Sequence, residues 1–441
     1  MNTFLETQPK NQIMSKLLVI GIVMVVSWVA TMFVWGIVQE RENRQIEATN
    51  ETSEQWSRPQ TIAGPVLTVP IERVRVDELG NRISDISTLT LLPKNLSHKS
   101  RIETELLKRG VYEIPVYTTT INTEGNFDLL ELAQLPTNAR VLWDQAAISV
   151  HVSDVKGIAS MFDLRLNGKS FAMVPASEFS VLDSSGVHAD VIIDPKVTDY
   201  QFSFDLPLKG SQELTFLPLG ENTEVAISSA WPAPSFTGEF LPVERTVTDE
   251  GFEATWNIAA YAKNMPQSWT GTAPIDTETF KAKAFGVGLH QKVNFYTMID
   301  RSTKYSMLFI GLTFLAFFMY EILAGLRIHP MQYLLVGIAI AVFYLLLLSF
   351  AEVIGFLPAY LAAAVATTVL ISGYCYSVLK LRRRALTMVT LLSTLYGYLY
   401  ILLQMEQYSL LFGSILLFVT LAIVMYLTRN IDWYTSSETK V

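Results

Sequence analysis

The chain has 441 residues, of which 50% are hydrophobic and only 17% are charged, whereas soluble proteins carry about 25% charged residues. This composition predicts an integral membrane protein. The formal net charge of −8 and the lack of a Lys/Arg-rich stripe argue against a nucleic-acid partner. The single cysteine, Cys375, excludes an intramolecular disulfide and a thiolate metal cluster.

The first element in chain order is an apolar run over residues 17–38. About 20 helical residues cross a hydrocarbon layer of ~30 Å, so this run is long enough to span a bilayer. The apolar region of a cleaved signal peptide is shorter, about 7–15 residues, and no small-x-small cleavage site follows Val38. We therefore expect a retained signal anchor after a tail at 1–16, with its helix continuing through Glu47.

The middle of the chain changes to a hydrophobic period of two, which is typical of half-buried strands. The alternating segments are residues 73–76, 112–116, 148–152, 202–206, 214–216 and 223–227. Turns are predicted around Gly80, Gly125, Gly168 and Gly210. Many short strands favour an antiparallel β-sandwich over residues 39–305, and helices are expected only at 99–109 and 128–134.

The C-terminal part contains five further apolar runs, each long enough to span a bilayer. They cover residues 306–326, 331–350, 354–379, 385–403 and 409–427. The sequence thus predicts a five-helix transmembrane bundle over 306–427, followed by a tail at 428–441.

The Lys and Arg residues of the short connections set the expected orientation. They fall in the N-terminal tail, in the loops after the second and fourth spans, and in the C-terminal tail: Lys10, Lys16, Arg327, Lys380, Arg382, Arg383, Arg384, Arg429 and Lys440. The two remaining loops hold Glu352 and Glu406 and no base. We therefore expect both termini in the cytoplasm and the β-rich domain on the opposite side.

Five groups of residues, in order along this layout, resemble the CreD family of inner-membrane proteins. They are Glu40-Arg41-x-x-Arg44 with Trp56 and Gly64-Pro65-Val66-Leu67-x-x-Pro70; Arg109-Gly110-Val111-Tyr112-Glu113-Ile114-Pro115-Val116-Tyr117; Pro218-Leu219-Gly220 with Ser229-Ala230-Trp231-x-x-Pro234-Ser235-Phe236-x-Gly238-x-Phe240-Leu241-Pro242; Gly251-Phe252-x-Ala254-x-Trp256; and Phe285-Gly286-Val287 with Lys304-Tyr305 and Phe314-x-x-Phe317-Phe318-x-x-Glu321. The resemblance covers residues 38–427.

The resemblance implies a bacterial inner-membrane protein tied to cell-envelope integrity, with its β-rich domain in the periplasm. In this family the gene often belongs to the set controlled by the Cre two-component system. The family is also linked to tolerance of envelope stress and of some bacteriocins. No catalytic residues are established for it, so the resemblance supplies no active site.

Glu321 is the most prominent candidate, because an ionised carboxylate within a span is costly and often functional. It lies five residues from the cytoplasmic end of its run. One hypothesis is a proton or ligand role. The alternative, a structural ion pair with Arg327 or the 380–384 cluster, or an acid that reaches interfacial water, carries more weight.

The other candidates are also left with two readings. Glu352 and Glu406 are either solvated loop acids or the lining of an outward-facing cavity. Glu40, Arg41 and Arg44 either form a surface helix pair or contact lipid headgroups or the β domain.

The aromatic stretch with Trp231 and Phe236 either packs on the sandwich or forms an exposed partner surface.

No zinc-helix, nucleophile-elbow, phosphate-loop or dinucleotide motif is present in the sequence. The absence of these motifs predicts a non-enzymatic protein without a cofactor. The membrane layout and the family resemblance together imply an envelope protein in the lipid bilayer, whose β domain senses or binds an envelope lipid, glycan or protein. The alternative is a transporter or lipid-handling protein with a route through the bundle near Glu321. The oligomeric state stays open.

Overall fold

The structure is a computed structural model that describes residues 10–76, 82–129, 139–179, 184–263, 265–271, 277–289, 295–324, 328–379, 382–405 and 408–429. The chain forms two compact units. We call residues 1–45 and 293–441 the membrane unit, and residues 46–292 the β unit.

Nine α-helices lie within the described residues. They are α1 (Lys10–Trp56), α2 (Ala260–Lys263), α3 (Thr277–Ala282), α4 (Phe295–Lys304), α5 (Ser306–Ala324), α6 (Pro330–Ile354), α7 (Phe356–Leu379), α8 (Arg382–Gln404) and α9 (Ser409–Thr428). The predicted helix through Glu47 is confirmed, and it extends to Trp56.

Five of these helices, α1 and α6 to α9, are long and apolar enough to cross a membrane. The pair α4 and α5 bends by 47° and adds a sixth crossing if it forms one span. Helix α6 begins with a capping box between His329 and Gln332, and Gly355, with φ of 79°, separates it from α7. The predicted N-terminal anchor and C-terminal helix bundle are confirmed.

The β unit contains two sheets. The ten-stranded sheet A consists of β1 (Gln60–Val76), β2 (Arg82–Leu91), β5 (Ala139–Val141), β6 (Ala146–Val152), β9 (Val174–Phe179), β10 (Ser184–Val191), β12 (Glu213–Phe216), β14 (Pro234–Gly238), β17 (Ser268–Thr270) and β18 (Phe285–Leu289). The eight-stranded sheet B has the order β15 (Glu244–Thr248), β16 (Gly251–Ala259), β13 (Asn222–Ser229), β3 (Asn95–Arg109), β4 (Tyr112–Asp128), β11 (Asp199–Ser211), β7 (Asp163–Leu166) and β8 (Lys169–Ala172).

The two sheets enclose one hydrophobic core, as a sandwich requires. His98 of β3 lies 5.0 Å from Phe216 of β12, and Trp256 of β16 lies 5.7 Å from Phe285 of β18, measured between ring centroids. Most strand pairs are antiparallel, while β1–β12 and β3–β13 are parallel. The predicted β-sandwich-like domain is confirmed.

The predicted helix at 99–109 is wrong, because this segment belongs to β3 and pairs with β4 along its length. The good helix formers Glu105, Leu106 and Lys108 suggested a helix. Buried and exposed positions do alternate along the first half of β3, as in a strand. Two of the buried positions are the polar residues His98 and Ser100, so the hydrophobic pattern does not show the period of two. The predicted helix at 128–134 lies almost wholly outside the described residues.

Two predicted turns are also wrong, since Gly125 lies inside β4 and Gly210 inside β11. A Cβ on Gly125 would lie 2.6 Å from the Phe202 ring, and a Cβ on Gly210 would lie 2.3 Å from the Tyr117 hydroxyl. These glycines leave room for aromatic rings that pack across the strand. The turn at Gly168 is confirmed: Asn167 and Gly168 have φ of 45° and 78° and join β7 to β8.

Candidate functional site

Glu321 lies at the centre of a closed polar cluster in the membrane unit. Its carboxylate forms an ion pair with Lys16 of α1. It also accepts hydrogen bonds from the Tyr333 hydroxyl of α6 at 3.1 Å and from the Ile328 backbone N–H at 3.0 Å. Only 6% of Glu321 is exposed. Every acceptor oxygen therefore has a partner, which favours a structural ion pair.

The partner of Glu321 differs from those considered from the sequence. Arg327 lies outside the described residues, and no side chain is described for the 380–384 cluster. Lys16 forms the ion pair with Glu321 instead. Helices α1 and α5 run antiparallel, so the start of α1 lies beside the end of α5. A second contact between these two helices joins the Thr31 and Ser306 hydroxyls at 2.9 Å.

A second polar cluster surrounds Glu352, which lies in the last turn of α6 rather than in a loop. Its carboxylate accepts a hydrogen bond from the Tyr296 hydroxyl of α4 at 2.9 Å and lies 3.8 Å from the Arg41 Nε atom of α1. The Glu352 side chain is largely buried. The structure thus brings together two of the predicted residues, Arg41 and Glu352, at one end of the membrane unit.

Asp300 of α4 connects the same end of α1 to the bundle. Its carboxylate accepts hydrogen bonds from the Trp35 indole at 2.8 Å and from the Gln39 amide at 3.1 Å. Lys304 forms an ion pair with it at 2.6 Å. Polar bonds near both ends of the anchor therefore hold α1 against the bundle.

The remaining predicted residues of α1 form a surface pair. Arg44 Nη2 lies 2.6 Å from Glu40 Oε1, and the two side chains are 58% and 60% exposed. A pair of this type contributes only about 0.3–0.5 kcal/mol. Glu406, the other predicted loop acid, lies outside the described residues.

Trp231 and Phe236 pack against the sandwich core. The Trp231 indole donates a hydrogen bond to the Ala233 carbonyl at 3.2 Å. The Phe236 ring meets the Phe252 and Trp256 rings edge to face, with centroids 6.0 and 5.8 Å away. Of the two readings left by the sequence, the packed one fits these contacts better.

The outer face of sheet B carries a groove of 840 Å³ that was not predicted from the sequence. Strand pairing places its polar side chains in two rows. The first row crosses Lys99, Asn122 and Asp205, and the second crosses Glu124, Ser203 and Arg165. Because residues two apart on a strand share a face, the rows lie about 7 Å apart.

The side chains of these rows mix hydrogen-bond donors and acceptors. The Asn122 amide donates to the Asp205 carboxylate at 2.6 Å. Lys99 Nζ lies 3.6 Å from Glu124 Oε1. The positive and negative charges of the groove nearly balance. The sequence shows alternating polar positions on β3, β4 and β11, and this pattern could have indicated a polar sheet face.

One wall of the groove is the segment before β7. Met161 lies there with 97% of its surface exposed. The neighbouring Phe162 packs against Phe204 of β11 with ring centroids 5.8 Å apart. The groove therefore combines a polar floor with an apolar edge, as ligand sites commonly do.

Two buried basic side chains of the β unit serve its packing. Burial lowers the pKa of His98 to about 3, and its Nδ1 atom lies 2.9 Å from the Thr123 hydroxyl. Lys263 donates hydrogen bonds to the Leu219 and Gly220 carbonyls at 2.9 and 2.5 Å. Burial lowers its pKa to about 8, against the opposing effect of the Glu221 charge. Within the described residues, no three His, Cys, Asp or Glu side chains are grouped to hold a metal ion.

These features define a multi-pass integral membrane protein whose long anchor helix precedes a β-sandwich and a helix bundle. The family model for "Inner membrane protein CreD" matches residues 12–434. Inner membrane protein CreD of Escherichia coli (strain K12) is 32% identical to this chain over 415 residues, which cover 93% of the chain and 91% of that protein. The chain belongs to the CreD family, a family of inner-membrane proteins, and its membrane-spanning helices reside in a lipid bilayer.

Proposed function

We propose that this protein supports cell-envelope integrity without catalysing a reaction, by binding a hydroxyl-rich envelope glycan in the groove of sheet B. The single observation that carries this proposal is the pair of polar rows across the groove floor. The proposal places the protein in the inner membrane with both termini in the cytoplasm. It also places residues 39–305 in the periplasm, where envelope glycans are accessible.

The chemistry of the groove favours a neutral ligand. Two cationic side chains, Lys99 and Arg165, face three anionic ones, Glu124, Asp163 and Asp205. A polyanion would meet the three carboxylates, and a polycation would meet the two bases. Adjacent sugar hydroxyls can both donate and accept, so they suit neighbouring amide, carboxylate and guanidinium groups.

The size and shape of the groove also suit a short oligosaccharide. Its 840 Å³ fall within the range of about 300–1,000 Å³ that is common for ligand sites. The exposed Met161 offers an apolar surface for the C–H face of a sugar ring. A sheet face that was merely solvated would need neither the concavity nor this apolar edge.

The alternative, a transporter with a route near Glu321, has less support. Its carboxylate is already occupied by Lys16, Tyr333 and the Ile328 N–H. A proton or ion carrier would need an acceptor that is free to exchange partners.

Binding of soluble glycan strands released from the bacterial cell wall tests the proposal. The full-length protein in detergent should bind them, and Asp205→Asn with Arg165→Ala should weaken binding by at least tenfold. Glu253→Gln, on the same face of sheet B but outside the groove, is the matched control and should bind like the unaltered protein. Equal affinity of all three proteins would reject the groove as the binding site.

Cells provide a second readout. The groove double variant should fail to restore growth of a deletion strain under envelope stress, at an unchanged protein level. The Glu253→Gln control should restore it. Full rescue by the groove variant would contradict a role of this site in envelope integrity.

A further inference from the structure

An apolar crevice of 290 Å³ lies within the helix bundle, between α5, α8 and α9. Its walls include Leu312 and Met319 of α5, Met388 of α8, and Ile423 and Leu427 of α9. Apolar side chains dominate this lining. A crevice of this kind inside a bilayer suits a hydrocarbon chain better than water or a polar solute.

The crevice exists because α9 packs loosely. None of the residues of α9 is buried, although the helix is apolar all round. By contrast, the walls formed by α5 and α8 contain buried residues, among them Met319 and Met388. The gap beside α9 therefore opens toward the lipid rather than toward a closed core.

The end of the crevice beside the start of α8 lies next to a basic stretch of the sequence, and this charge points to an anionic occupant. Helix α8 begins with Arg382, Arg383 and Arg384. Thr387, which lines the crevice, follows Arg384 by about 4.5 Å along the helix axis. Tyr320 of α5 and Leu427 of α9, at the ends of their helices, line the same region. Basic clusters between helices at this membrane face bind anionic lipid headgroups.

We propose that this crevice binds one anionic phospholipid, with an acyl chain between α5, α8 and α9 and its phosphate near the arginines that begin α8. The 290 Å³ of the crevice hold part of one acyl chain and exclude a whole lipid. The arginines also fix the orientation of the chain in the membrane, but that role requires no crevice beside them. The lipid fills the space that α9 leaves open and so completes the packing of this helix.

Native mass spectrometry of the full-length protein tests the inference. The protein would be reconstituted in vesicles of phosphatidylethanolamine with phosphatidylglycerol, or with phosphatidylcholine in its place, and then extracted in mild detergent. We expect one retained phosphatidylglycerol, at least fivefold enriched over phosphatidylcholine. Ala316→Phe and Ile423→Phe each fill the crevice and should abolish retention.

The headgroup is tested separately. The double variant Arg383→Gln with Arg384→Gln keeps Lys380 and Arg382, so the topology signal is retained. It should bind phosphatidylglycerol and phosphatidylcholine equally. Leu410→Phe, at an exposed position of α9 outside the crevice, is the matched control and should behave like the unaltered protein.

Two outcomes would overturn the inference. One is unchanged retention in both crevice-filling variants, which would show that the lipid is ordinary annular lipid. The other is an unchanged preference for phosphatidylglycerol in the double arginine variant. If neither crevice-filling variant yields folded protein, the arginine variant decides, because it leaves the crevice walls intact. These outcomes are independent of glycan binding by the β unit.

Discussion

The buried ion pair between Lys16 and Glu321 should give a large coupling energy in a double-mutant cycle of the free energy of unfolding. Removal of the lysine charge by Lys16→Met leaves a carboxylate that is only 6% exposed, with hydrogen bonds from Tyr333 and Ile328 but no countercharge. Loss of one partner of a buried pair costs about 3–5 kcal/mol. Because two hydrogen bonds remain, we expect a loss of about 3 kcal/mol in the free energy of unfolding.

Removal of the carboxylate by Glu321→Gln should lower the free energy of unfolding by less than Lys16→Met does. Glu321→Gln keeps an acceptor oxygen, and the Lys16 side chain is 25% exposed, so its ammonium can extend to the interface. We expect a loss of about 1–2 kcal/mol. In the double variant both charges are absent, and its loss should be about 2 kcal/mol. This value corresponds to a coupling energy of about 2–3 kcal/mol.

Equilibrium unfolding in mixed detergent micelles, followed by tryptophan fluorescence, measures the four free energies of this cycle. The matched control is the exposed pair Glu40 and Arg44, for which the cycle Glu40→Gln with Arg44→Met should give a coupling below about 0.5 kcal/mol. Additive losses for Lys16 and Glu321 would refute the structural role. A greater loss from Glu321→Gln than from Lys16→Met would refute the assumed asymmetry of burial.

Three further predictions concern the β unit. His98 is uncharged when folded, because burial lowers its pKa from 6.5 to about 3. Unfolding therefore takes up a proton between these two pH values. The free energy of unfolding should begin to fall near pH 6.5, and the slope should approach about 1.4 kcal/mol per pH unit below about pH 5.5. His98→Gln removes this proton uptake, so the free energy of unfolding measured from pH 5 to 7 should depend less steeply on pH, with the largest difference at pH 5. Lys263→Met leaves the Leu219 and Gly220 carbonyls without their donor and should lower the free energy of unfolding in urea by about 2–3 kcal/mol. A loss below about 0.5 kcal/mol would contradict these two hydrogen bonds. Gly157→Ala places a Cβ 2.3 Å from the Gln60 amide and should lower the melting temperature. The control Gly373→Ala, in α7 of the membrane unit, has no heavy atom within 4 Å of the added Cβ and should leave the melting temperature nearly unchanged. Equal melting temperatures of the two variants would argue against the close packing at Gly157.

The membrane helices could be predicted from the sequence because hydrocarbon imposes a simple requirement. A span must be long, apolar and helical, so composition alone marks runs such as 331–350 and 409–427. Helix packing within the bundle was less predictable. The partner of Glu321 is separated from it by most of the chain, and no local pattern indicates that Lys16 lies beside it.

The strands were predicted where the alternation was clear, as at 202–206, and missed where polar residues occupy the core. In β3 the inward positions include His98 and Ser100, which a hydrophobic pattern counts as outward. The interior glycines Gly125 and Gly210 resemble turn signals because the rings that cover them come from other strands. The groove of sheet B was not predicted because its polar rows combine residues from β3, β4, β11 and β7, and these residues become neighbours only when the strands pair.

Cysteine accessibility in spheroplasts tests the placement of the groove outside the cytoplasm most directly. Cys375 is the only cysteine, so Cys375→Ser provides a background free of thiols. In that background Met161→Cys introduces a thiol at the groove edge, and Met14→Cys introduces one near the start of α1; both side chains are exposed. A membrane-impermeant maleimide should label the thiol at position 161 in intact spheroplasts and the thiol at position 14 only after lysis. Labelling of position 161 only after lysis would place the groove in the cytoplasm and contradict the account.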